Sequence, residues 1–164
     1  LLHEVTQRLS WPLLLMFGAG EGISSAIRKT GVACETANLI HYAREKSCEY
    51  VGETCCEYVG ETFGNAVEKS VLALLAQICA NTLSNAPAGL IVAPLAMELA
   101  KKGRSIGRST CILVVISCNL VLSTPFGTGA NNSVSRAAGF TPATWLKFGL
   151  PAQALATIVI VWGS

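Results

Sequence analysis

Residues 70–99 read SVLALLAQICANTLSNAPAGLIVAPLAMEL: an apolar run, a short polar interruption and a second apolar run. Ser70 to Ala80 has 11 residues and Ala86 to Leu99 has 14. A simple transmembrane helix needs about 20 residues, whereas each of these arms, at about 1.5 Å per residue, covers roughly 16–21 Å. That is about half a bilayer, so the pattern predicts a re-entrant helical hairpin over 70–100 with its tip at Asn81-Thr82-Leu83-Ser84-Asn85-Ala86-Pro87. The tip is rich in side-chain oxygens, and chain reversal frees backbone carbonyls and amides. Hard oxygens suit a small alkali cation, and helix N-termini favour an anion. Asn, Ser and Pro are also ordinary turn residues, so a turn at the membrane surface is the plainer reading of this motif alone.

Downstream, the same alternation recurs. Cys111 to Leu122 is a run of 12 residues and Phe148 to Trp162 a run of 15. Between them lies Ser123-Thr124-Pro125-Phe126-Gly127-Thr128-Gly129-Ala130-Asn131-Asn132. Pro125 removes a backbone donor, and Gly127 and Gly129 permit unusual dihedrals and close ligand approach. This predicts a broken transmembrane helix over 109–137, followed by a final helix over 143–164. A phosphate-binding loop is excluded, because no Lys follows and the strand–loop–helix setting is absent. A loop between two helices is the plain structural alternative. Both breaks are polar, both sit among apolar residues, and neither carries an acid. They can therefore hold an anion and a cation together, each partly neutralising the other. A proton-coupled site would be expected to hold an intramembrane carboxylate or histidine, and neither break has one.

Composition sets the solvent. Hydrophobic residues make up 51% of the 164 and charged residues 13%, with a mean hydropathy of +0.49. A soluble domain is about 25% charged, so lipid is the better expectation. A soluble bundle would show a charged stripe on its helices. Yet Ala86–Leu99 has one charge, Glu98, and the two later runs have none. Non-helical backbone at membrane depth is tolerated where it is buried in protein or lines a wet cavity, as in transporters with broken helices. The net charge of +2 is too small and scattered for a nucleic-acid partner.

Upstream, Trp11 to Phe17 leads into Gly18-Ala19-Gly20-Glu21-Gly22 and then a helical piece that stops at Lys29-Thr30-Gly31. Residues 35–69 form a polar middle. CEYVGET occurs twice within it, at Cys48–Thr54 and Cys56–Thr62, separated by Cys55. Seven residues are too short for a solenoid unit, so a local duplication in a loop or surface helix is expected. The seven cysteines, Cys34, Cys48, Cys55, Cys56, Cys79, Cys111 and Cys118, form no CxxC pair. They are expected as unpaired packing residues rather than zinc ligands. His3 and His41 lie outside the breaks and no nucleophile–base pair is visible, so no enzyme activity is expected.

At the breaks the chain resembles the divalent anion:sodium symporter family of dicarboxylate and sulfate carriers. Ser84-Asn85-Ala86 is similar to that family's Ser-Asn-Thr hairpin tip. Pro125-Phe126-Gly127-Thr128-Gly129-Ala130-Asn131 resembles its Pro-x-Gly-Thr-Pro-Pro-Asn stretch. Trp11-Pro-Leu-Leu-Leu-Met-Phe-Gly-Ala-Gly, Lys29-Thr30-Gly31 and Trp145-Leu-Lys-Phe-Gly-Leu-Pro151 resemble flanking segments in the same order. The resemblance implies an all-α membrane protein, in which 1–164 is a single partial transmembrane domain. It would be the C-terminal half of an inverted-repeat, homodimeric carrier, integral and multi-pass in a plasma or inner membrane. By the same resemblance Na+ is the coupling ion, held by Ser84 and Asn85 with backbone near Ser123, Pro125 and Gly127. Ser84, Asn85, Ala86, Thr128 and Asn131 would line the site of a small anion, sulfate or a di- or tricarboxylate. Ala86 in place of Thr, and Gly129 and Ala130 in place of two prolines, depart from the family pattern and leave the anion open.

The N-terminal repeat would be a necessary partner, and a non-transporting membrane fragment with a structural or assembly role is the alternative. Lys101, Lys102, Arg104 and Arg108 form a basic loop that the positive-inside rule places in the cytoplasm. The resemblance places it outside, and it outweighs the vote of one loop. Arg136 and Lys147 are read either as attractors of anions or as snorkelling anchors.

Overall fold

The structure, a computed structural model, describes residues 11–54, 57–102, 107–125 and 127–163. His3, Cys55, Cys56, Arg104 and Phe126 lie outside the described residues. Within them every regular element is a helix: α1 (Trp11–Thr30), α2 (Val32–Thr54), α3 (Glu57–Leu83), α4 (Asn85–Lys102), α5 (Gly107–Asn119), α6 (Gly129–Ala138) and α7 (Pro142–Gly163).

The stop between α1 and α2 falls where the Lys29-Thr30-Gly31 signal puts it. Gly31 has φ 76°, a left-handed conformation that costs glycine little. Arg28 and Lys29 occupy the last turn of α1, where the carbonyl end of the helix dipole favours cations. The Gly-rich stretch 18–22 stays helical within α1.

The polar middle, expected as a loop or surface helix, is helical throughout its described length, and the first arm of the hairpin starts at Glu57, well before Ser70. This arm has 27 residues, about 40 Å at 1.5 Å per residue, so it is longer than a half-bilayer arm. The reason lies in helix-to-helix pairing rather than in hydrophobic periodicity. Arg44 on α2 reaches across to α3, donating from Nε to Asn65 Oδ1 at 2.9 Å and pairing with Glu68 at 3.7 Å. Glu68 is 3% exposed and would not stay charged there without such a cation. Gly64 lets the helices touch at this level: a Cβ there would stand 3.1 Å from the Arg44 carbonyl oxygen.

Helix α3 is the centre of the molecule and contacts α2, α4, α5 and α7, while α1 packs on α4 and α2. The core is built from small residues, among them Ala37, Ala73, Ala76, Ala80, Ala88 and Ala96, filled out by Leu72, Val92, Leu99 and Leu113. Small side chains let helix backbones approach closely, the packing that serves where no water-driven core is available. Among the described residues, helix α6 buries none of its own and makes no close backbone approach to another helix.

The last helix is turned inside out relative to a helix in water. Its buried residues are Gly149, Gln153, Thr157 and Val161, two of them polar. Phe148, Leu155, Val159 and Trp162 on its outer face are each 66–70% exposed. Two helices, Tyr58–Leu83 and Pro142–Gly163, are long and apolar enough to cross a membrane.

Candidate functional site

The chain reversal between α3 and α4 is made by one residue. Ser84 has φ 83°, a conformation that L-residues other than Asn and Asp seldom adopt. Its N–H donates to Ala80 O at 3.1 Å, closing the end of α3, and its carbonyl accepts from Ala88 N at 3.2 Å, opening α4. The tip thus joins the carbonyl end of one helix to the amide end of the next, with Asn85 first in α4 and Ala86 exposed behind it. Among the described residues the Ser84 hydroxyl has no hydrogen-bond partner.

The second break begins after Asn119 and runs to Thr128. Thr128 caps α6, its hydroxyl accepting from Asn131 N at 3.1 Å. Asn131 turns its amide nitrogen back into the break and donates to the carbonyls of Val121 at 2.7 Å and Thr124 at 3.2 Å. Its Nδ2 protons therefore hold the unwound backbone in place, and its Oδ1 is the atom left for other partners. Pro125 and Gly127 are buried. A Cβ on Gly127 would overlap the Val121 side chain and lie 3.1 Å from Ala80 O. Only a residue without a Cβ brings the break this close to the end of α3.

The two breaks meet. Thr124 Oγ1 donates to Asn81 O at 3.0 Å and lies 3.2 Å from Asn81 Oδ1. Asn85 Nδ2 donates to Asn119 Oδ1 at 3.2 Å, and Asn119 Nδ2 donates to Val115 O at 2.8 Å. Asn85 Oδ1 is buried and has no hydrogen-bond partner. Ser84 and Asn85 make no direct hydrogen bond to Thr128 or Asn131 among the described residues, so the two sets are joined through Asn81, Thr124 and Asn119.

Ser123 is drawn the other way. Its hydroxyl donates to Gln153 Oε1 on α7 in a short hydrogen bond. Gln153 Nε2 donates to Gln77 Oε1 at 3.1 Å, and Gln77 Nε2 donates to Thr157 Oγ1 at 2.7 Å. Asn81 adds a longer contact to Gln153 Oε1 at 3.4 Å. This buried amide network fastens the second break to both α3 and α7, and it borders a groove of about 510 Å³ between those helices. Gly149 closes the fit: a Cβ there would overlap the Leu122 carbonyl oxygen and come within 2.9 Å of Ser123 Cα.

The sequence reading did not single out Gln77, Gln153, Thr157 or Asn119 as site residues. Each is a polar residue inside an apolar run, which is the signal that could have found it. Arg136 and Lys147 are exposed, with Lys147 Nζ 5.9 Å from the Phe148 ring centroid. Cys34, Cys48, Cys79, Cys111 and Cys118 carry free thiols, and no cluster of three or more His, Cys, Asp or Glu suited to a metal occurs among the described residues. Any cation at the breaks would be held by amide, hydroxyl and carbonyl oxygens. No protein-family model, curated protein or solved structure matches the chain.

Proposed function

We propose that the chain is a membrane-embedded half of a secondary transporter that moves a small anion, sulfate or a di- or tricarboxylate, with Na+. The observation that carries this reading is the meeting of the two breaks. Polar stretches separated by more than 30 residues converge through Asn85–Asn119 and Asn81–Thr124, leaving a buried, unpartnered oxygen at Asn85. The carbonyl end of α3 and the amide end of α4 adjoin at the tip, and helix ends of these two kinds favour a cation and an anion respectively. The outward apolar face of α7 is what lipid, or the complementary repeat, would cover. A homodimer of the complete carrier and a plasma- or inner-membrane location follow from the same reading.

The test is uptake of labelled sulfate and succinate by the complete protein in proteoliposomes, with and without a sodium gradient. Sodium-dependent uptake of either is expected. Asn85→Ala should abolish that uptake while leaving membrane insertion intact, and unchanged uptake would remove Asn85 from the site. A correctly inserted protein that carries neither anion would shift the assignment to a non-transporting membrane component. The exposed surface of α6, none of whose residues is buried among the described residues, favours that second reading, since it is available for assembly.

A further inference from the structure

Asn119 is an amide at the end of an apolar helix, and its two ends are not interchangeable. The Val115 carbonyl is an acceptor only, so the atom of Asn119 that faces it at 2.8 Å must be the donating Nδ2. Oδ1 is then the atom turned toward the hairpin tip. An oxygen there accepts a donor and repels another oxygen, so Asn85 must meet it with its own Nδ2, at 3.2 Å. The order of atoms is therefore dictated from the α5 backbone outward: Val115 carbonyl, Asn119 amide, Asn85 amide. At the far end stands Asn85 Oδ1, buried and without a donor.

We infer that Asn119 is a positioning residue. It sets the rotation of the Asn85 amide so that the tip presents an oxygen, the end that binds a hard monovalent cation, rather than an NH2, the end that would bind an anion. This rests on the proposed cation-coupled reading of the site and assigns Asn85 to its cation side. Helix α3 ends at Leu83 and α5 at Asn119, so carbonyl ends of two helices stand beside the relay, together with the amide end of α4 that begins at Asn85. No carboxylate contributes to the relay, so a cation there is met by neutral oxygen ligands and its binding is sensitive to the loss of any one of them.

Without Asn119 the Asn85 amide is free to turn over. Its nitrogen then occupies the cation position for part of the time, and affinity for the cation falls. Asp at 119 gives up the bond donated to Val115 O but keeps an oxygen facing Asn85 Nδ2, and so keeps the orientation of the Asn85 amide.

The experiment measures the thermal unfolding midpoint of the purified complete protein against NaCl concentration, with choline chloride holding ionic strength constant. A ligand that binds the folded state raises this midpoint, and its concentration dependence reports affinity without transport. For the wild type the midpoint should begin to rise once sodium exceeds its dissociation constant, and then climb with the logarithm of concentration. For Asn119→Ala the sodium concentration at which the rise sets in should increase at least about tenfold, the scale of one hydrogen bond to a charged group. For Asn119→Asp it should stay within about threefold of wild type, or lie below it.

A purely structural role would lower the midpoint in choline and leave unmoved the sodium concentration at which the rise sets in, which overturns the inference. An Asn119→Asp variant as weak as Asn119→Ala overturns it too. Should Asn119→Ala fail to fold, Asn119→Asp decides alone, and a tenfold weaker response refutes the relay. A wild type with no response to sodium removes the cation reading itself, and the assignment of Asn119 goes with it.

Discussion

At the scale of single residues, the contact that leaves least room is Gly149 against the Leu122–Ser123 backbone. An added methyl group there meets a carbonyl oxygen, which cannot rotate away as a flexible side chain would. Gly149→Ala should therefore lower stability by about 2–3 kcal/mol, the scale of overpacking in a close-packed interior. Thermal unfolding in detergent reads this directly, and an unchanged midpoint would mean that the break and α7 are not in contact. Ser84 differs in kind. Its left-handed backbone was not foreseeable from Ser-Asn-Ala, because serine gives no conformational warning of the sort that glycine gives at Gly31. What was legible was the polarity of the tip and its place between two apolar arms.

At the scale of elements, the α2–α3 pair is held by charge as well as by small residues. Arg44→Leu leaves Glu68 buried without its cation and should cost about 3 kcal/mol or more. Replacing both, Arg44→Leu with Glu68→Leu, should recover most of that loss, because two apolar side chains in place of a buried ion pair are often tolerated. A double-mutant cycle measures the coupling, and additive losses would show that the pair contributes nothing. This element pair is also where reading the sequence fell short. Hydrophobic periodicity identifies a helix by the face it buries against a core, and residues 35–69 bury mostly against one another through Gly64, Arg44, Asn65 and Glu68. Their polarity read as surface because the partner that hides Glu68 lies 24 positions earlier in the chain. The bounds of α4, α5 and α7 were legible to within a few residues, since each is a continuous apolar run ended by Gly, Pro, Asn or a charge. The Gln77–Gln153 pair was not, because 76 residues separate its members and neither has a local cue to the other.

At the scale of the whole molecule, the apolar outer surface of α7 discriminates between water and lipid. Leu155 is 66% exposed. On a water-facing helix Leu155→Arg should change stability by no more than about 0.5 kcal/mol. In a helix that crosses a bilayer, the same change near its middle should raise the cost of insertion by about 2.5–3.5 kcal/mol. Glycosylation-mapped insertion of α7 distinguishes these outcomes, and unimpaired insertion of the Arg variant would argue against lipid on this face. Among the described residues two helices are long and apolar enough to cross a membrane, by length and composition alone.

The buried stripe of α7, Gly149, Gln153, Thr157 and Val161, repeats every four residues. A helix turns about 100° per residue, so the stripe winds by about 40° at each step. The seam against α3 behaves like a screw thread with one setting. Shifting α7 by one turn would put Gly149 or Thr157 where Gln153 faces Gln77, stranding an amide among alanines and driving a backbone carbonyl into a side chain. Helix α3, the second break and α7 are thus held in a single register by polar pairs, where apolar contact alone would leave several settings equally good.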